Sequence, residues 1–127
     1  MTKYLLVLFL AVVLLGCNGD KSVSPDPVVN LFVGSWLVEN GGGTWVFGDT
    51  SLVVGTYIGT YSFDSTTSPK SIDIHLTGAV PNPSLGIYQF INDTTLVIKV
   101  PDFDGVARPT AFADEAHYDI LNMHRQQ

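Results

Sequence analysis

The chain has 127 residues, of which 46% are hydrophobic and only 14% charged, and its formal net charge is −6. This length accommodates one domain once an amino-terminal segment is set aside. Because phosphate binding depends on clustered Lys and Arg, the acidic balance argues against nucleic acid as a partner. Low charge together with 12 Gly and 7 Pro favours β-structure with many turns.

The first 16 residues have the pattern of a secretory signal peptide. Lys3 supplies a positive charge, and residues 5–15 form an uninterrupted apolar run of 11 residues. A transmembrane helix takes about 20 apolar residues, so this run is too short to span a bilayer. Polar residues begin at Asn18, and residues 1–16 are therefore predicted to be a signal peptide.

The signal ends in the sequence Leu14-Leu15-Gly16-Cys17, which resembles a lipobox. In a lipobox, the small residue gives the processing peptidase access to the backbone, and the cysteine thiol accepts a diacylglyceryl group. Cys17 is the only cysteine in the chain, which argues against a disulfide. Two or more long acyl chains attach a protein durably to a membrane. We therefore expect a lipoprotein of the cell envelope whose membrane partner is reached through the lipid on Cys17.

The residues after Cys17 predict a destination and a tether. In many Gram-negative envelopes, an Asp directly after the lipidated cysteine signals retention in the inner membrane. Asn18 occupies that position here, so the resemblance to this sorting pattern implies the outer membrane. Residues 17–30 are mostly polar with two prolines, as in a semi-extended tether, and residues 31–127 are the predicted domain. Loss of Lys3 with the signal leaves five basic against twelve acidic residues, or −7, so attachment would depend on lipid rather than on a basic patch.

Alternation of apolar and polar residues with a period of two predicts strands with one buried face. It is clearest at residues 71–77, where Ile74 and its alternate neighbours face one way and His75 faces the other. The other seven predicted strands are residues 35–39, 44–47, 51–55, 57–63, 86–91, 95–100 and 117–123.

Short turn sequences separate these segments, and each accommodates positive φ or the fixed φ of proline. They are Asn40-Gly41-Gly42-Gly43, Gly48-Asp49, Ser68-Pro69, Pro81-Asn82-Pro83 and Asn92-Asp93. No window of comparable strength predicts a helix, and residues 112–116 are expected to form at most a helical turn. The sequence thus predicts an all-β fold, a small up-and-down antiparallel β-barrel of about eight strands whose closure removes exposed edges. An open sandwich is the alternative.

Five short motifs are spread along the predicted domain. They are Gly34-Ser35-Trp36, Gly59-Thr60-Tyr61-Ser62-Phe63-Asp64, Pro69-Lys70-Ser71-Ile72-Asp73, Gly86-Ile87-Tyr88 and Arg108-Pro109-Thr110-Ala111-Phe112. In order and spacing they resemble a lipocalin-like domain family of uncharacterised function, over nearly all of residues 31–125. The resemblance implies the barrel but no particular activity, because a fold does not determine function.

The Gly-x-Trp motif at Gly34 and Trp36 also resembles the first-strand motif of lipocalins. In that family a cation from the last strand lies over the indole and helps to close the barrel. The resemblance implies Arg125 as this cation, with Arg108 as its rival. Gly34, Trp36 and Arg125 are therefore the predicted barrel-closure residues.

Catalytic patterns are sparse in the sequence. An acylated Cys17 is no nucleophile, and there is no Gly-x-Ser-x-Gly elbow. His117 and His124 are seven residues apart, on opposite faces of a regular strand, and match no metal-ligand motif. Residues 102–105 resemble a calcium loop only in part, because the downstream Glu is missing, and are interpreted as a turn. We expect no catalytic residue, no metal and no cofactor.

Aromatic side chains are the remaining candidates for a site, since they serve either as core or as pocket lining. The candidates for pocket lining are Trp45, Tyr57, Tyr61, Phe63, Tyr88 and Phe90. The leading hypothesis is a non-enzymatic, lipid-anchored envelope protein whose barrel binds a small apolar ligand. The alternative is a protein-interaction or inhibitor module that acts through the rim loops. A hollow interior would favour the first, and a filled barrel with an exposed apolar or acidic rim the second.

Overall fold

The computed structural model describes residues 30–127, which form a closed barrel of eight antiparallel strands. Every strand pairs with its sequence neighbours, and the first also pairs with the last. The strands are β1 (Gly34–Val38), β2 (Thr44–Phe47), β3 (Ser51–Val54), β4 (Tyr57–Asp64), β5 (Ser71–Leu76), β6 (Ser84–Asn92), β7 (Thr95–Pro101) and β8 (Tyr118–Arg125). The predicted eight-stranded, all-β barrel is confirmed. The predicted signal peptide, Cys17 and the tether up to residue 29 lie outside the described residues.

Burial along β5 follows the alternation that predicted this strand. Ile72, Ile74 and Leu76 are buried, whereas His75 is exposed. The same period places one row of side chains from each strand inside the barrel, and these rows form the core. The sequence therefore predicted the inward face of this strand correctly.

The strand bounds differ from the prediction where pairing extends a strand beyond its apolar pattern. β6 begins at Ser84 because Ser84 pairs with Ile74 of β5. β8 continues to Arg125 because its last residues pair with β1, with Arg125 opposite Trp36. Residues 112–116, expected to form at most a helical turn, contain bends and no helix. The short helical segment of the described chain is instead a 3-10 turn at Glu39–Gly41, between β1 and β2.

One end of the barrel is filled by Phe32, which precedes β1 and is 1% exposed. Its ring centroid lies 4.8 to 5.5 Å from those of five aromatic rings: Phe47, Tyr61, Phe63, Tyr88 and Phe90. Asn30 belongs to the same end, because its Nδ2 donates to the Tyr61 hydroxyl over 2.8 Å. Asn30, assigned to the tether on sequence, is thus held against the barrel. We call this end the closed end and the opposite one the mouth.

Residues 102–117 connect β7 to β8 and pass over the outside of the barrel. We call this segment the strap. Lys99 lies on the face of β7 opposite the inward Leu96, Ile98 and Val100, but it is fully buried beneath the strap. Its Nζ donates to the carbonyl oxygens of Ala111 and Ala113 and to Glu115 Oε1, the last over 2.6 Å. Arg108, from the strap itself, lies 2.5 Å from Asp73 Oδ1 on β5. These two cations fix the strap to the barrel wall.

Candidate functional site

The mouth contains a cavity of about 220 Å³. Inward strand residues such as Ile74 and Leu121 form its floor, and residues at the strand ends form its rim. The lining residues are Trp45, Ile74, Leu76, Ala79, Val80, Pro81, Ser84, Val100, Pro101, Asp102, Asp119 and Leu121. The cavity is therefore mainly apolar, with three polar side chains among its lining residues.

Those three polar residues lie at or next to strand ends, where Ser84 is buried and Asp102 and Asp119 are exposed. Asp102 follows the buried row of β7 that ends at Val100, and Asp119 stands two residues before Leu121 in the inward row of β8. Asp119 pairs with Val100, and the Asp102 amide donates to the His117 carbonyl oxygen over 3.0 Å. Asp119 in β8 and Asp102, immediately after β7, thus lie at one side of the mouth.

The charges of the rim carboxylates are not balanced by an ion pair. Within residues 30–127 the ion pairs are Lys99 with Glu115, Arg108 with Asp73, and His124 with Glu39. Neither Asp102 nor Asp119 takes part in any of them, and no Lys, Arg or His lines the cavity. The mouth therefore presents negative charge above an apolar floor.

The aromatic residues predicted to line a pocket lie at different places in the structure. Trp45 lines the mouth cavity. Tyr88 and Phe90 border a separate surface groove of about 370 Å³ beside residues 67–70 and Phe112. Tyr57, Tyr61 and Phe63 do not line the mouth cavity, and Tyr61 and Phe63 pack in the aromatic cluster of the closed end. Tyr57 is 44% exposed.

The residues predicted to close the barrel lie together at the closed end. Arg125 Cζ lies 4.3 Å from the centroid of the Trp36 ring. Gly34 has φ +134°, and a Cβ at this position would come within 2.8 Å of Arg125 Nη1. Arg125 also donates to the carbonyl oxygens of Leu31 and Val33, over 2.7 and 2.8 Å. It therefore fixes the residues on either side of the Phe32 plug.

Sequence reasoning missed Phe32 and the polar residues of the mouth. Residues 102–105 form a bend and a turn, as predicted, but that interpretation did not reveal that Asp102 lines the cavity. No sequence pattern indicated that Asp119 and Ser84 would line the cavity. The last strand alternates weakly, and Ser84 lies outside the strand predicted at residues 86–91. Their role depends on pairing that links distant segments.

None of the histidines of the described residues lines the mouth cavity. His75 and His124 are exposed, and His124 Nε2 lies 2.5 Å from Glu39 Oε1. The His117 ring packs edge-on against Phe103, with centroids 4.8 Å apart. Within residues 30–127, no three or more His, Cys, Asp or Glu side chains are grouped so that they could hold a metal ion.

Burial changes the ionisation of two tyrosines in the aromatic cluster. It raises the pKa of Tyr61 above 10.0, against the opposing effect of the Asn30 hydrogen bond, and the charge of Asp49 adds to the increase. Burial also raises the pKa of Tyr88, with a further contribution from Asp64. Both phenols are therefore neutral at ordinary pH and serve as packing and hydrogen-bonding groups.

In the described part of the chain, no helix combines the length and the apolar character needed to cross a membrane. Comparison of the chain with models of protein families, with curated proteins and with solved structures found no match.

Proposed function

We propose that the protein is a lipid-anchored envelope protein of lipocalin-like type that binds a small, largely apolar ligand in the mouth cavity. The observation that carries the proposal is the cavity itself, of about 220 Å³, lined by Trp45, Ile74 and Leu121 among others. A buried cavity of roughly 150 Å³ lined by apolar side chains is large enough for benzene. The mouth therefore offers room for a ligand slightly larger than a single aromatic ring.

The composition of the cavity supports binding rather than catalysis. A nucleophilic hydroxyl needs an adjacent base to activate it. Ser84 is the one hydroxyl-bearing residue in the cavity lining, and no His, Lys or Cys lines the cavity. A binding protein needs only the apolar surface and a few polar groups that orient the ligand.

An anchor at Cys17 would set the orientation of the barrel on the membrane. Asn30 lies at the closed end, where it contacts Tyr61. A lipid attached upstream would hold the closed end toward the membrane, and the mouth would open away from it. A tether of about 12 residues at roughly 3 Å per residue spans some tens of ångströms, which leaves the mouth accessible.

Mass spectrometry of the native, acylated protein tests this proposal. The protein is purified from envelopes in mild detergent, denatured, and the released small molecules are identified. We expect an apolar molecule at close to one per chain, and its loss in Leu121→Trp, which fills the cavity. Ile58→Trp is the matched control, since Ile58 is 65% exposed on the outer wall. Equal recovery from both variants, or no bound molecule in the wild type, would contradict the proposal.

A protein-interaction role through the rim is the second candidate. Val80 is 69% exposed and Phe103 43% exposed, on two loops joined by the bond from the Asn82 amide to Asp104 Oδ1. Exposed apolar side chains on rim loops are typical of docking surfaces. A photo-crosslinker at position 80 that captures one defined envelope protein, when the same probe at position 58 does not, would favour this role.

A further inference from the structure

We infer that the protein rests on the lipid bilayer through one side of the barrel, the outward face of β1–β4, which we call the uncovered face. Its outward side chains are Ser35, Leu37, Thr44, Val46, Ser51, Val53, Ile58, Thr60 and Ser62. This inference rests on the lipid anchor of the proposed function and adds a second membrane contact, made by protein side chains. It does not depend on a ligand in the mouth cavity.

The aliphatic side chains of the uncovered face are neighbours across the strands. Val46 pairs with Val53 across β2 and β3, and Val53 pairs with Ile58 across β3 and β4. Leu37 on β1 lies diagonally to Val46, because the direct partner of Val46 is Ser35. Leu37, Val46 and Ile58 are exposed, and Val53 is partly exposed. Contiguous exposed apolar surface of this kind marks an interaction site.

On the other side of the barrel, the chain covers its own apolar outer surface. Ile87 of β6 pairs with Lys99 of β7 on the outward face, and both side chains are buried. Arg108 of the strap donates to the carbonyl oxygens of Ile72 and Gly86, over 3.2 and 2.8 Å, so the strap lies across β5 and β6. Within residues 30–127 the aliphatic row on β1–β4 has no such cover, since its side chains are exposed.

The uncovered face is also free of charge. None of the outward residues listed for β1–β4 is an Asp, Glu, Lys, Arg or His, although the chain as a whole has a net charge of −6. Charged side chains are costly to move from water toward hydrocarbon, whereas burial of aliphatic side chains is favourable. The combination of aliphatic side chains with serine and threonine hydroxyls therefore suits the boundary between hydrocarbon and headgroups.

The chain enters the barrel beside the uncovered face. The Asn30 side chain donates to the Tyr61 hydroxyl on β4 and to the Asp49 carbonyl oxygen between β2 and β3. Leu31, the next residue, is exposed. A lipid on Cys17 would keep this side of the barrel near the bilayer at a high effective concentration, so a weak contact suffices. The barrel then leans onto its uncovered face, with the closed end toward the membrane and the mouth clear of it.

A second copy of the chain fits the uncovered face less well than a bilayer does. The face is convex because it belongs to a closed barrel. Two convex faces touch over a small area, whereas a specific protein interface buries about 800 Å² on each partner. Association would also bring together two chains that each have a net charge of −6. A bilayer is fluid, so it adapts to a convex surface.

Paramagnetic relaxation tests this contact in the native, acylated protein. The protein is placed in phosphatidylcholine nanodiscs that contain a nitroxide-labelled lipid, and NMR measures the relaxation of its methyl groups. We expect the nitroxide to accelerate relaxation several-fold more at Leu37, Val46 and Ile58 than at Val80. Val80 is the internal control, because it is as exposed as Ile58 but lies in the loop between β5 and β6.

A charge placed in the aliphatic row should lift the barrel from the bilayer without releasing the lipid anchor. Ile58→Asp should reduce the relaxation effect at Val46 several-fold, because a carboxylate is costly to bring toward hydrocarbon. Val80→Asp, the same kind of change on the mouth loop, is the matched control. Ile58→Thr keeps the branched shape without a charge and should reduce the effect less. Thermal melts of the three variants report whether the fold is retained.

Equal relaxation at the uncovered face and at Val80 in the anchored protein would overturn the inference and leave the anchor and the cavity standing. An undiminished effect in Ile58→Asp would also overturn it, as would a dimer in detergent that protects the same face. Absence of lipid on Cys17 would instead contradict the proposed anchor. A phospholipid coupled chemically to Cys17, the only cysteine of the chain, then decides the inference by the same relaxation measurement.

Discussion

Arg125 and Trp36 face each other as cross-strand partners at the seam between β8 and β1, with the guanidinium carbon 4.3 Å from the indole centroid. The same guanidinium donates to the carbonyl oxygens of Leu31 and Val33. The Trp36 indole N–H in turn donates to the Phe32 carbonyl oxygen over 2.8 Å. One cation–indole contact therefore joins the last strand to the first and holds the segment that plugs the closed end.

Removing this cation should destabilise the barrel measurably. A guanidinium over an indole contributes about 0.5 to 2 kcal/mol, and we expect Arg125→Ala to lower the free energy of unfolding by about 1 to 3 kcal/mol because carbonyl hydrogen bonds are lost as well. Trp36→Leu should also destabilise, and the double variant should lose less than the sum. Urea denaturation measures all three, with Lys70→Ala as the control. Additive losses would contradict the coupling.

The two faces of β5 should respond differently to truncation. Ile74 is 3% exposed, and Ile74→Ala should cost about 2 to 4 kcal/mol through lost burial and the cavity left behind. His75 is exposed, so His75→Ala should change the free energy of unfolding by no more than about 0.5 kcal/mol. Thermal melts of the two variants, made at adjacent positions, compare the faces directly. Similar losses would mean that the strand faces are assigned wrongly.

Lys99 should hold the strap more than it stabilises the barrel itself. Lys99→Met keeps the aliphatic stem but leaves two carbonyl groups and Glu115 without their donor. We expect a loss of about 1 to 3 kcal/mol, because the bonds from a charged donor are lost while the acceptors are only partly buried. Amide hydrogen exchange should accelerate across residues 102–117 before it does so in the core strands. Lys70→Met, at an exposed lysine, is the control, and uniform acceleration over the whole barrel would contradict this local role.

Stability at alkaline pH should depend on Tyr61. Burial raises its pKa in the folded barrel above 10.0, so the folded state retains the proton after the unfolded chain has released it. The stabilisation is complete below pH 10.0 and is lost as pH rises through the folded-state pKa. Tyr61→Phe should therefore flatten the alkaline decline in the free energy of unfolding, and Tyr57→Phe serves as the matched control. An unchanged slope in Tyr61→Phe would exclude this contribution.

Cys17→Ser should abolish membrane attachment. The substitution removes the thiol that would accept the diacylglyceryl group and changes the predicted processing site, so we expect an uncleaved or mislocalised precursor. Metabolic labelling with a fatty-acid analogue, followed by fractionation, measures both effects. Persistent label on the substituted protein would contradict the anchor at Cys17. The same labelling of Arg125→Ala should be normal, because the signal and the barrel are separate.

Local sequence patterns were sufficient to predict most strands and turns of the barrel. Alternation in residues 71–77 and 95–100 identifies strands and their inward faces, because the strand period of two is imposed by the backbone itself. Turn residues such as those at positions 40–43 mark where strands end, since they tolerate backbone angles that other residues avoid. The strand count and tight connections then favour a meander, and the meander favours closure.

Pairing between residues far apart in sequence decided which side chains come together. Asp102, Asp119 and Ser84 meet at one cavity because antiparallel register places them there, and no local pattern specifies register between strands. Phe32 lies before the first strand, yet it fills the closed end because Arg125 holds its neighbours from 92 and 94 positions away. Lys99 is buried on an outward face because the strap covers it. The sequence by itself determined the strands, their faces and their turns through local backbone physics; only the closed barrel decided which side chains share an end, because contacts between distant segments form only on folding.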